Sequence, residues 1–332
     1  MRRTPLLLAA GAAGVAVTRR RAGREHDAWP VLDARVAPVT ADDGTVLHAE
    51  VSGPDSPSGT VVLAHGYVLS NRLWDQQVAA LTAARPDLRV VTYDQRGHGR
   101  SARAPERSAT IAQLGHDLRA VLDTHAAGPA VLVGHSMGGM TIMSFVEHSP
   151  ERVGEQVVGA ALVATSSGGL ADSTWGLPEP VAARVRSAMP LGMEQARRWE
   201  DAGRAPLPRP FLRPVLFGAD ARAADVRRTF AVLGTCSAHT VADFFETFTT
   251  HDRLQALAAL RDVPVSILVG THDRLCPLPM SRAMAEALPH ARLRVYPGAG
   301  HMLQLERADQ VSAELVSLAS AIRPRRAARQ AG

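Results

Sequence analysis

From residue 35 onward, short unbroken apolar runs alternate with longer stretches of helical spacing. TVVLAHG (60–66), LRVVTYD (88–94), AVLVGHS (130–136) and VVGAALVAT (157–165) are continuous apolar segments bounded by polar or glycine-containing turns. VPVSILVG (263–270) and ARLRVYPG (291–298) are two more strand-like runs. Continuous rather than alternating hydrophobicity predicts strands buried on both faces. Between them lie helical patterns. Residues 72–84 form one, and residues 109–124 place Ile111, Leu114, Leu118, Val121 and Leu122 on one side. GGMTIMSFVEH follows the third strand at once. Near the start, VAPVTADDGTVLHAEVSG predicts a hairpin with Asp43-Gly44 at its turn. Strands alternating with helices imply an α/β fold with a largely parallel sheet covered on both faces.

One stretch breaks the rhythm. Residues 167–250 contain no buried-strand run and carry prolines at 178, 180, 190, 206, 208, 210 and 214. Helical spacing is visible at 192–203 and 219–233. The pattern predicts a helical cap inserted at 167–250 into a core made of 31–166 and 251–322. A tail, 1–30, precedes the core, and a basic tail, 323–332, follows it.

Charge sharpens this division. The chain has 332 residues, a net charge of +5 and no lysine. Residues 1–24 hold six arginines without an acid, and 323–332 hold four without an acid. Removing those ten charges leaves a body near −5, which argues against a nucleic-acid-binding face on the folded part. The two cysteines, Cys236 and Cys276, form no metal-binding or disulfide framework and are expected to be free thiols.

MRRTPLLLAAGAAGVAVTRRR flanks an apolar run with arginines. The run, about a dozen residues, is shorter than the roughly 20 needed to span a bilayer. Its length suits a signal-peptide core, yet arginines directly behind it oppose export. Three readings stay open: a signal sequence, a membrane-surface anchor, or a tail from a misplaced start codon. Location is therefore cytoplasmic or membrane-associated, with secretion if the segment is a signal.

The strongest chemical signal is Gly134-His135-Ser136-Met137-Gly138, set directly between a buried strand and a helix. Glycines allow a sharp turn and close packing, so the serine projects as a nucleophile elbow. The backbone N–H of Met137 opens a helix, where negative charge is favoured. A serine hydroxyl needs a base, and the base needs an orienting carboxylate. Catalytic groups of such sheets gather at the carboxyl ends of the strands. His301, in PGAGHMLQLE, follows the last strand and is the candidate base. His26, His116, His125, His148 and His290 fall in tails, helices or distant connections.

Two carboxylates compete, because THDRL occurs at 250–254 and again at 271–275. Asp273 follows VPVSILVG and so sits at a strand end. Asp252 precedes RLQALAAL, where Thr250 or Asp252 is expected to cap a helix. Asp273 is therefore the candidate acid.

The order Ser136, Asp273, His301 resembles that of the serine α/β-hydrolase superfamily in its cap-bearing, esterase- and lipase-like branch. The resemblance covers roughly residues 35–322. It includes His65-Gly66 after an early strand, YDQRGHGRS (93–101), the elbow, and the acid and histidine positions. It implies a mostly parallel eight-stranded sheet and a Ser136–His301–Asp273 triad. It also implies an oxyanion hole from the backbone N–H groups of Tyr67 and Met137, with no metal or organic cofactor. The 93–101 loop is mostly structural in this family, so His98 is not expected to be catalytic. The implied reaction is hydrolysis of small carboxylic esters, acyl or lipid-like, through an acyl-enzyme. C–C hydrolysis, thioester cleavage and perhydrolysis use the same triad, and a non-catalytic ligand-binding protein is the alternative of a different class. Trp175, Met189, Leu191, Met193, Trp199, Phe211, Leu212 and Phe217 are candidates for an acyl pocket in the cap.

Overall fold

The computed structural model describes residues 30–105, 107–126, 128–203 and 212–323. The expectations for residues 1–24, for Pro206, Pro208, Pro210 and Phe211, and for the tail beyond 323 lie outside these residues.

The apolar runs become strands of one eight-stranded sheet. Its members are β1 (Ala34–Val36), β4 (Ala49–Ser52), β5 (Thr60–Ala64), β6 (Arg89–Tyr93), β7 (Ala130–His135), β8 (Val157–Val163), β9 (Val265–Gly270) and β10 (Arg292–Tyr296). Their spatial order is β1-β4-β6-β5-β7-β8-β9-β10. All neighbours from β6 to β10 run parallel, while β4 pairs antiparallel with both β1 and β6. The expected hairpin divides. Val39–Thr40 (β2) and Val46–Leu47 (β3) pair around the Asp43-Gly44 turn, where Gly44 has φ +82°. Their flanks, β1 and β4, join the main sheet.

Continuous hydrophobicity has the predicted cause. Along β5, Val62 and Ala64 enter one core cluster while Val61 and Leu63 enter the other, on the opposite face. The first face is covered by α2 (Ile111–His125), α3 (Met137–His148) and α8 (Leu278–Ala287). The second is covered by α1 (Asp75–Ala84), the short α9 (Leu303–Glu306) and α10 (Ala308–Leu318). The edge strand β10 is largely exposed and carries Arg292 and Arg294, charges that discourage further strand pairing.

Between β8 and β9 lie α4 (Glu179–Asp201), α5 (Arg213–Leu216), α6 (Ala223–Thr235) and α7 (Ala238–Thr249). Helix α4 starts well before the predicted 192, and Pro190 sits inside it. The helix tolerates this proline because α4 is largely exposed. Water can then satisfy the carbonyl that proline leaves without a partner. Only Ala182 of α4 is buried, and the helix is tied to α7 through Arg197–Asp243 and His239–Asp201. Helix α7 packs firmly: Phe244 is buried against Ile111, Leu114, Met137 and Met140. Among the described residues, no helix is long and apolar enough to cross a membrane.

The segment after α7 corrects one expectation. Neither Thr250 nor Asp252 caps the start of a helix; Thr250 instead is the C-cap of α7. A 3₁₀ turn begins only at Gln255, its N-cap is Leu254, and Asp252 is exposed. Residues 251–253 are instead tied to the loop after β8, where Arg253 N–H donates to Ser167 O (2.7 Å) and His251 Nε2 to Ser166 O (3.0 Å).

Candidate active site

Ser136 stands between β7 and α3 at φ +54°, ψ −119°, a conformation that L-residues rarely adopt. Packing enforces it. A Cβ on Gly134 would lie 2.3 Å from Gly138 O, and one on Gly138 would lie 2.2 Å from Ala64 O. A Cβ on Gly139 would meet the Thr165 side chain at 2.6 Å. Only glycines let the strand, turn and helix close up this far. The turn is then pinned from β8: Ser136 N–H donates to Val163 O (2.9 Å), and Thr165 Oγ1 donates to Ser136 O (2.7 Å).

His301 and Asp273 come from loops after the neighbouring strands β10 and β9. His301 Nδ1 lies 2.9 Å from Asp273 Oδ2, and both side chains are buried. The other carboxylate oxygen accepts from the backbone N–H of Leu275 and Cys276, each at 2.9 Å. These bonds fix the carboxylate. With Nδ1–H given to Asp273, the lone pair of the imidazole is at Nε2.

The serine loop reaches the histidine loop through His135, whose Nε2 donates to His301 O (2.9 Å); the two rings are 4.9 Å apart. Ser136 Oγ itself makes no hydrogen bond to another described residue. Substrate-free hydrolytic sites often show a long nucleophile–base separation. Cys276 is buried, and burial followed by the Asp273 charge pushes its thiol well up, so it stays a thiol.

Tyr67 lies beside this group. A Cβ on Gly66 would be 2.8 Å from His135 Nδ1 and 3.1 Å from Ser136 Cβ, so the loop after β5 touches the elbow. His65 Nδ1 donates to Gly66 O (2.7 Å), and its Nε2 accepts from Gln95 N–H (2.9 Å). Burial brings the His65 imidazole down to about 4 and keeps it neutral. The Tyr67 ring reaches α7: its hydroxyl donates to Val241 O, and its ring meets that of Phe248 in an edge-type contact, centroids 4.8 Å apart. Neither Tyr67 N–H nor Met137 N–H has a partner among the described residues.

His98 is fully buried, bonded through Nδ1 to Arg96 O, and sits among His65, Tyr67 and Phe244 rings. Arg96, equally buried, grips Asp117 and Asp43, so the 93–101 loop is braced from within. His125, His148 and His290 each bond a backbone carbonyl. The two THDRL copies are opposites in burial: His251 is buried with Asp252 exposed, and Asp273 is buried with His272 exposed. Of the cap candidates, Phe217 is buried with Leu69, Leu73 and Met302 beside His301, whereas Leu191 and Leu212 point to solvent. Neither Cys236 nor Cys276 is in a disulfide.

Gln95, Thr141, Thr165 and Glu306 support these loops and were not singled out in the sequence. Glu306 accepts from Gly218 and Gly300 N–H (2.8 and 3.0 Å), and Leu216 O accepts from His301 N–H (2.9 Å). The segment after α5 is thereby stitched to the histidine loop. No local spacing announces these residues, since each acts across a long gap in sequence.

A model of the alpha/beta hydrolase family matches residues 61–314. The chain belongs to that family. This hydrolase is 33% identical over 295 residues to a non-heme haloperoxidase from Rhodococcus erythropolis, covering 84% of this chain and 97% of the relative. It is 29% identical over 288 residues to a bifunctional esterase/perhydrolase from Acinetobacter calcoaceticus, covering 84% and 98%. Among solved structures, the enol-lactonase of Burkholderia xenovorans LB400 is similar with a TM-score of 0.66 and 27% identity. That match covers 86% of this hydrolase and all of the lactonase chain.

Proposed function

We propose that this hydrolase cleaves small carboxylic esters through an acyl-enzyme on Ser136. The observation that carries the reading is the strained Ser136 at a strand–helix turn, linked through His135 to the loop of a buried His301–Asp273 pair. Ser136 Oγ attacks the acyl carbon while His301 Nε2 takes its proton. The carbonyl oxygen becomes an oxyanion held by the N–H groups of Tyr67 and Met137. Collapse breaks the ester C–O bond, and His301 returns its proton to the leaving alcohol. Water then gives a proton to His301 and attacks the acyl carbon; the bond to Ser136 Oγ breaks, His301 returns its proton to Oγ, and the acid leaves. Asp273 stays ionised and stabilises the imidazolium. Helices α4–α7 act as a cap that selects acyl or lipid-like small molecules, with Phe217 the candidate best placed near His301.

Hydrogen peroxide replacing water in the second half would give a peracid. The likeness to the esterase/perhydrolase favours this as a second activity of the same site.

Labelling with a fluorophosphonate followed by peptide mapping tests the reading. The expected result is an adduct on Ser136 in the unaltered protein and none in His301→Ala. A folded protein that takes no label and hydrolyses no p-nitrophenyl ester would favour a non-catalytic ligand-binding role instead.

A further inference from the structure

We propose that Gln95 and Thr141 are positioning residues that hold the two oxyanion donors in register; this rests on the acyl-transfer reading above. Tyr67 N–H belongs to the same peptide group as Gly66 C=O. In a trans peptide these two bonds point in opposite directions, so whatever holds Gly66 O aims Tyr67 N–H. His65 Nδ1–H holds it at 2.7 Å, with Leu69 N–H a longer second donor at 3.3 Å. Gln95 in turn holds His65 from both ends. Its backbone N–H donates to His65 Nε2 (2.9 Å), and its side-chain Nε2 donates to His65 O (2.6 Å).

The remaining atom of that amide, Gln95 Oε1, faces the other donor's helix. Thr141 Oγ1, one turn into α3, lies 2.7 Å from it and 2.9 Å from Met137 O. One side chain therefore ties the loop carrying Tyr67 N–H to the helix opened by Met137 N–H. The strut is dry: Gln95 and Thr141 have no exposed surface, and His65 has almost none. A polar pair isolated from water keeps a single geometry, because any displacement leaves buried groups unpaired. Gly138 against Ala64 O supplies the complementary close contact. The strut pulls the two segments together while that contact stops them.

Thr141→Val removes the bond between Thr141 and Gln95, and Gln95→Met removes that bond and the one to His65 O, each with little change of shape. For either variant, kcat on p-nitrophenyl butyrate should fall about 10- to 100-fold, the scale of a misplacement near 1 Å. KM should change little, and the inhibition constant of phenylboronic acid, whose tetrahedral adduct presents an oxygen to the same donors, should rise in parallel. Thr141→Ser, which keeps the hydroxyl, should restore both. The double variant should be no slower than the worse single one, because the residues act as a unit. Folding is checked by circular dichroism, and two independent variants guard against one that misfolds. Unchanged kcat and boronate inhibition in a folded variant would overturn the strut alone. Losses that Thr141→Ser also shows would mark a packing role. An unaltered protein with neither turnover nor a Ser136 adduct would remove the acyl-transfer reading, and the strut's role with it.

Discussion

Asp252 and Asp273 share the same five-residue neighbourhood and have opposite surroundings. Asp273 is anchored by two backbone N–H groups and His301; Asp252 is in solvent. Asp273→Asn should lower kcat by up to about 10⁴-fold, the effect of an amide that imposes the wrong imidazole tautomer. Asp252→Asn should leave kcat unchanged. Steady-state rates of both on one p-nitrophenyl ester decide this, and equal losses would count against Asp273 as the orienting acid. That Asp273, and not Asp252, follows a strand end was legible because the preceding apolar run is visible. The burial of His251 was not. It depends on Ser166 O, 3.0 Å from His251 Nε2 and 85 positions earlier in the chain, and no pattern local to residue 251 encodes that partner.

At the scale of elements, strands and elbow are fixed by backbone requirements that leave few choices. Gly138→Ala places a methyl 2.2 Å from Ala64 O, a backbone atom that cannot swing aside. Overpacking of this kind costs about 1–3 kcal/mol, and opening the elbow would also shift Met137 N–H. The urea midpoint and kcat of Gly138→Ala should both drop, whereas Gly128→Ala, with nothing near its Cβ, should leave kcat unchanged. A Gly138→Ala protein as stable and active as the original would sink the close-contact account. The core strands were readable because burial on both faces forces continuous apolar runs. The helices between β8 and β9 were read less well. Helix α4 buries only Ala182, so its ends answer to solvent and to ion pairs with α7 rather than to a core-facing stripe. Pro190, a break by local rules, is accommodated where water replaces the lost partner.

Across the whole molecule, buried titratable groups set how the fold responds to acid. Burial lowers His65 and His251 to about 4, and burial followed by the His65 charge lowers His98 to about 3, from an ordinary 6.5. Burial, then the His301 charge, lowers His135 as well. Between those values and 6.5 the unfolded chain binds protons that the native protein does not. Stability therefore falls as pH drops through this window, by up to about 1.4 kcal/mol per pH unit for each group. Asp75 opposes them. Burial, only partly countered by Arg72, raises its carboxyl from 3.8 to about 7. In that interval the native state holds a proton that the unfolded chain lacks, so its contribution is lost as pH rises. Burial raises Asp94, Asp117 and Glu306 too, and lowers His125 as it lowers these four histidines; the histidines still outnumber the carboxyls, and the urea midpoint should fall from pH 7 to pH 5. Asp75→Asn removes the opposing proton, so the fall should become steeper in that variant. A midpoint that is flat over this range, or a slope that Asp75→Asn makes shallower, would show that the buried histidines do not govern acid stability. The four histidines also lie around the loops that carry Tyr67, Ser136, His301 and Thr165. Acid unfolding should therefore start where the proposed catalytic groups are held, and any ester hydrolysis should be lost no later than the global transition seen by circular dichroism.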